Sequence, residues 1–524
     1  MLQQERERVE QDVKHMRGPV ERFGSTVVSD GATDGNRRPI INLVDVSPEF
    51  VEFVFAMDCT GHTKNARYIA DLVTDYIFSL PDPRKVVQVL MDNATRASWP
   101  LIEEKCPWVV VGPCEPHVSS LEAGDIMKLP FFKETARQVQ VVRKFILNHQ
   151  KPLVVYLSSR SWQPGSMLHT PEARDYAIDC DLYARVELCL RALAPVIEVL
   201  RIADSDGPTA SKIQYAKYQA QEKLKRVTVE AGEEPWQPGE YDWEDIMQEV
   251  VAIHRYRWDY GYTITQGVGY LLDPEYIDMD QHQDEETMNS FRAFVEKTYL
   301  MPAAVAADAT DEEQRAYKQA RCEVLRQRSA CDLQLLEYKL KRGIFARDEV
   351  WENAKKISAA DFWFMYGQGL KELQLVGMRA TAQTSGAGAS ERGHKLMNVI
   401  EDKTRNRLKW DNVESLIIGN NVMNLRKRRK VTYEGHHTPW SEAAEENDGW
   451  QDAWREENAA EEARAAELRE ESIRRAATRS SQLALSAGSR IPPVYDVQAE
   501  SDSVDTDSVS TRSGRLVRRP VVFS

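Results

Sequence analysis

A chain of 524 residues exceeds the roughly 250–300 at which a single hydrophobic core stops growing, so at least two folded units are expected. Its 42% hydrophobic content supports a core, while a mean hydropathy of -0.52 and the lack of any apolar run near the ~18 residues of a membrane span argue for a soluble protein with no membrane partner. The net charge of -14 is unevenly spread: Ser441 to Ser472 holds twelve acids and three arginines, so this segment carries -9 and all the rest only -5, and a polyanionic partner is not excluded.

Residues 1–22 read as a polar helical lead-in, and "MLQQERERVEQDVKHMRG" is charged where a signal peptide needs an apolar stretch. Seven scattered cysteines suit a reducing compartment better than a disulfide scaffold. Strands are predicted over Ser25–Ser29, Ile40–Val46 and Val51–Met57, separated by the turn-rich "DGATDGNRRP" and by "SPE". An amphipathic helix follows, with Ile69, Leu72, Val73, Tyr76 and Ile77 on one face, stopped by "PDP". Next come a doubly buried strand Val86–Met91, a helix over Ala94–Glu104 and a short strand "WVVV". Three strands, helix, strand, helix, strand is the order of a ribonuclease-H-like α/β fold with a mixed sheet, assigned here to residues 23–150.

Beyond it, helical patterns dominate: Phe131–His149, Asp181–Ala203 and less regular segments make residues 151–345 a large α-helical insertion. Residues 346–430 carry helices over Ala359–Tyr366, Leu370–Gln383, Glu391–Glu401 and Asn412–Leu425, with "SGAGAS" read as a flexible joint. The aromatic run Phe362, Trp363, Phe364 and Tyr366 is expected to be core rather than a stacking surface. Residues 431–524 combine an acidic, solvated helix over Glu442–Ala477 with a tail whose composition predicts disorder.

Asp30 closes the first predicted strand and Asp92 the fourth. A ribonuclease-H topology sets these strands side by side and parallel, so both carboxylates emerge at one edge of the sheet. Two carboxylates about 4 Å apart repel by ~4 kcal/mol at an effective dielectric of ~20, which calls for a cation or a shared proton. Hard oxygen donors select Mg2+ or Mn2+, the ions that activate a hydroxyl and stabilise a leaving oxygen in phosphoryl transfer. The alternative is that both aspartates only cap turns.

Several blocks, "VVSDGATDGNRRPIINLVDVS", "VVQVLMDNAT", "VVVGPCEPHVSSLEAGDI", "HRYRWDYGYTITQGVGYLLDPEY" and "ISAADFWFMYGQGLKELQLVGMRATAQTSGAGASERGHKLMNVIEDKTRNRL", together resemble the hAT-superfamily transposase-like proteins of plants, over about Phe23 to Arg429. The resemblance implies an acidic triad at Asp30, Asp92 and Glu391, holding Mg2+ or Mn2+ for DNA cleavage and strand transfer. It also implies a Cys-x-x-His pair at Cys114 and His117 close to the DNA strand, a C-terminal region that forms a homodimer, and a nuclear location. Lys403, Arg405 and Arg407 either face DNA or cover the rim of the dimer. The basic run Arg426, Lys427, Arg428, Arg429 and Lys430 is a nuclear-import candidate or a phosphate-contacting patch, or else a solvated helix end. A second Cys-x-x-His, Cys59 and His62, lies outside the family pattern. The family's tryptophan after the Asp-Gly pair is Ala32 here, and no Cys/His finger precedes Phe23, so the second expectation is a non-catalytic nuclear scaffold that binds DNA or protein and keeps only the fold.

Overall fold

The computed structural model describes residues 13, 15–33, 38–60, 65–148, 176, 180–205, 207–233, 242–306, 308–388, 390, 415–423, 508–510 and 516–518. After a short helix α1 (Gly18–Phe23), three long strands β1 (Ser25–Thr33), β2 (Pro39–Ser47) and β3 (Phe50–Asp58) form an antiparallel meander. Helix α2 (Ala66–Ser79) leads to β4 (Val86–Met91), a 3-10 turn at Asn93–Ser98, helix α3 (Trp99–Lys105) and β5 (Val110–Pro113). The sheet order is β3-β2-β1-β4-β5, with β1, β4 and β5 parallel to one another. That is the mixed ribonuclease-H-like sheet expected from the order of elements. The predicted span Val86–Met91 is the observed one, because every residue in it is buried on one face or the other.

Pleating divides the sheet residues into two sets. Val27, Ile41, Leu43, Val89, Met91 and Val111 pack under α2 and α3, against Ile69, Val73, Ile77, Trp99 and Ile102. Val28, Ile40, Val44, Leu90 and Cys114 point to the other face and meet Ala387, Ile417 and Ile418 from the far end of the chain. Asn65 starts α2 by accepting the Tyr68 N–H at 2.8 Å, so the loop before it ends on a side-chain cap.

The middle of the chain is helical, as predicted. Helices α4 (Glu115–Ile126), α5 (Pro130–Asn148), α6 (Cys180–Asp204), α7 (Ala210–Glu233) and α8 (Trp243–Gly261) follow β5, and share a core that includes Phe131, Phe132, Leu188, Val196, Leu224, Trp243 and Met247. A second helical core joins α9 (Ile264–Leu272), α10 (Glu285–Thr298), α11 (Asp311–Lys339), α12 (Asp348–Ala354), α13 (Ala359–Tyr366) and α14 (Lys371–Thr381). Phe362 and Trp363 are fully buried in it, and the Trp363 indole donates to the Leu272 carbonyl at 2.7 Å, whereas Phe364 is exposed and lies under the Arg22 guanidinium. Tyr366 is half-buried and packs on the same core against Phe362, so the core reading of the aromatic run holds for all its members but Phe364. No helix among the described residues is long and apolar enough to cross a membrane. In the tail, Ser508–Ser510 and Leu516–Arg518 form a short antiparallel pair.

The segment read as a flexible joint is a packed one. Thr384, Ser385, Gly386 and Ala387 are buried. The Gln383 carboxamide accepts from the Thr26 hydroxyl at 2.8 Å, and Gln88 donates to the Thr384 carbonyl at 2.9 Å. Ser385 accepts from the Glu115 N–H at 2.9 Å, and its own N–H donates to Thr209 Oγ1 at 2.9 Å. Gly386 is there for space: a Cβ would sit 2.2 Å from the Ala203 carbonyl oxygen.

Candidate functional site

Strand β1 outlasts its partner β4, and this difference creates the site. The β1–β4 ladder stops at Ser29 opposite Met91, whereas the β1–β2 ladder continues to Thr33 opposite Pro39. Asp30 and Asp92 are therefore the first residues beyond the last paired position of adjacent parallel strands, at the carboxyl ends where open α/β sheets place ligands. Asp30 does not end its strand as expected from sequence; it lies inside β1, opposite Asn42 of β2. Alternation from Val28 and Leu90 puts Asp30, Asn42 and Asp92 on the same face as Cys114 and Ala387.

Asp92 does two things. Its backbone carbonyl accepts from the Thr95 N–H at 3.0 Å and the Thr95 hydroxyl at 2.6 Å, which closes the 3-10 turn. Its carboxylate caps that turn through Oδ1 alone, at 3.4 Å from the Ala94 nitrogen, a long bond that is correspondingly weak. The capping and site readings of this residue are thus compatible. Asp30 is 7% exposed. Burial raises its pKa; the neighbouring His117 opposes the shift, the Asp92 charge adds to it, and a hydrogen bond from the Gly31 N–H again opposes. Asp30, Asp92 and His117 therefore lie within electrostatic reach of one another.

Cys114 and His117 arrive on the first turn of α4. Strand β5 stops at Pro113, and the Cys114 N–H donates to the Met91 carbonyl at 3.1 Å, which ties the start of α4 to the residue before Asp92. His117 is half-buried two residues into the helix. Cys114 is 1% exposed, and its Sγ accepts the Ala387 N–H at 3.3 Å. The described partner of Cys114 is thus the backbone that leads to Ser390 and Glu391. Glu391, Lys403, Arg405, Arg407 and the run Arg426 to Lys430 lie outside the described residues, as does His62.

Two of the buried polar groups that lack a hydrogen-bond partner among the described residues are Asn42 and Ser390. Asn42 is fully buried with both Nδ2 and Oδ1 unmatched, and the fully buried Ser390 hydroxyl, one residue before Glu391, is also unmatched. Among the described residues no group of three His, Cys, Asp or Glu side chains is placed to hold a metal ion. Two hard carboxylates with the unmatched Asn42 amide opposite Asp30 are nevertheless a donor set that fits a hydrated divalent cation. Sequence reasoning missed Asn42. Its only signal was a polar residue at a position of "PIINLVDV" where a strand buried on both faces calls for an apolar one.

Sequence reasoning also missed the support of α4, a helix whose inward face is acidic. Lys217 of α7 reaches Glu115 Oε2 at 2.8 Å, with side chains only 3% and 1% exposed, and Gln266 donates to the same oxygen at 3.2 Å. Burial raises the Glu115 pKa and Lys217 opposes the shift. His254 Nδ1 lies 2.7 Å from Glu122 Oε1, and Arg257 Nε donates to Asp125 Oδ2 at 2.8 Å, both from α8. Three carboxylates on one turn-spaced face are therefore matched by three cationic or basic side chains from the helical region.

Residues 1–142 match the family model of a domain of unknown function, DUF659, which occurs in hAT-like, transposase-related plant proteins. No curated protein matches the chain.

Proposed function

We propose that this chain is a hAT-transposase-like, DNA-binding protein, a homodimer of the nucleus, whose Asp30 and Asp92 hold Mg2+ or Mn2+ for DNA strand cleavage and transfer, with Glu391 as third acid. The observation that carries the reading is the emergence of Asp30 and Asp92 side by side on one face of a ribonuclease-H-like sheet, with the proton affinity of Asp30 raised by burial and by Asp92. A divalent cation, when bound, polarises the phosphate and lowers the pKa of the attacking hydroxyl or water. Asp30 and Asp92 orient it; the rigid β1–β4 ladder fixes their separation. His117, at the start of α4, is positioned to donate a hydrogen bond to a phosphate oxygen. Cys114 positions rather than contacts, since it fastens the segment that carries Ser390 and Glu391.

The test uses purified full-length protein, transposon-end DNA and Mg2+ or Mn2+. Asp92→Asn and Asp30→Asn should each reduce strand cleavage by at least about 100-fold while thermal unfolding stays cooperative. Cleavage that survives Asp92→Asn unchanged refutes the assignment.

A further inference from the structure

We infer that Asn42 is a positioning residue of the Asp30/Asp92 site, with its carboxamide holding the water shell of the divalent cation. The inference rests on the proposed metal-dependent reading and adds to it a residue that neither the acidic triad nor the Cys-x-x-His pair includes. Asn42 is the cross-strand neighbour of Asp30 in the β1–β2 register, and directly opposed residues of an antiparallel pair have Cβ atoms about 4.5–5.5 Å apart. Both residues point to the same face of the sheet. Asn42 is fully buried, yet its donor and its acceptor both lack a partner among the described residues. A buried amide left without partners is strongly disfavoured, and the rest of this strand shows what the position otherwise takes: Ile40 and Val44, two residues away on either side, are apolar and packed.

The chemistry of the amide narrows what it serves. It offers one acceptor and two N–H donors and carries no charge, so it adds no repulsion to two carboxylates already crowded together. Mg2+ and Mn2+ bound through one or two carboxylates retain several waters, which need acceptors and donors in the next layer. With such an ion bound, Asn42 Oδ1 would accept from one of its waters and Nδ2 would donate to an oxygen beside it.

The experiment is Mn2+ binding to the full-length protein, followed by calorimetry and by the electron paramagnetic resonance signal of free Mn2+, with DNA absent. Wild type, Asn42→Leu, Asn42→Ala and Asp30→Asn are compared, and each is also melted in chelator. Leucine has the shape of asparagine without its polar atoms. Asn42→Leu should weaken Mn2+ binding by about 10-fold or more, the range typical of outer-layer partners, and should melt in chelator no lower than wild type. Asn42→Ala should show the same loss of affinity even where Asn42→Leu fails to fold. Unchanged Mn2+ affinity in both folded variants overturns the role of Asn42 and leaves the carboxylate site standing. Failure of wild type to bind Mn2+, or binding indifferent to Asp30→Asn, overturns the carboxylate site and Asn42 with it.

Discussion

Lys339 ends α11 with its ammonium turned inward, donating to Gln281 Oε1 and, at 3.5 Å, to the Ile277 carbonyl. Burial pushes its pKa down to about 8, opposed by Asp278 and Asp280 and reinforced by Lys341. A lysine with a lowered folded pKa binds fewer protons folded than unfolded between about 8 and its ordinary ~10.4, so stability rises with pH across that window. Lys339→Met should therefore melt higher than wild type at pH 7, with the gain shrinking as pH climbs from 8 toward 10; an equal gain at pH 7 and pH 10 contradicts the account. At Gly386 the limit is steric. Gly386→Ala places a methyl against the Ala203 carbonyl, and urea unfolding should register a loss of ~1–3 kcal/mol. Asp30 and Asp92 were legible in the sequence because carboxylates after apolar runs stand out. Asn42 was not, because its meaning depends on which strand lies opposite.

Element by element, the strands and the better helices were readable because burial is periodic: Val86–Met91 and Ala359–Tyr366 fall where the pattern puts them. Misreadings follow a physical rule too. The start of α3 was placed at Ala94, but the turn that Asp92 caps takes 3-10 geometry first, and the helix begins at Trp99. Strand β1 was cut short at Ser29 because Asp30-Gly31 has turn chemistry, yet pairing with β2 carries it to Thr33. The glycines of "SGAGAS" suggest freedom, whereas Gly386 provides room. Helix α4 was the hardest, since its buried acids look like a solvated face until Lys217, His254 and Arg257 are placed beside them. Lys217→Ala leaves the Glu115 carboxylate buried without its cation and should cost ~3–5 kcal/mol in urea unfolding; Glu115→Gln combined with Lys217→Met should recover much of it. Equal losses in the single and paired variants would show that the pair matters only through packing.

At the scale of the whole molecule, α4 belongs to two bodies at once. It extends the sheet through Cys114 and Met91, and it meets the helical region through two ion pairs and the His254–Glu122 contact. The family-matched residues 1–142 contain Glu115, Glu122 and Asp125 but not Lys217, His254 or Arg257, and retain Lys128, whose exposed ammonium lies 3.0 Å from Asp125. Expressed alone, that segment should lack a cooperative thermal transition by circular dichroism, whereas residues 1–423 should melt as a unit. A sharp transition in the short fragment would mean that the sheet tolerates those carboxylates in water.

The hydrogen bond between Thr26 and Gln383 spans 357 positions along the chain. A ribosome adding ~5–20 residues per second has the first strand outside its tunnel long before the segment that covers it exists. For tens of seconds the nascent sheet has one bare side, a state that chaperones recognise and that aggregation exploits. Chains cut off before Gln383 then are not weakened copies of the fold but chains whose first strands never find their lid.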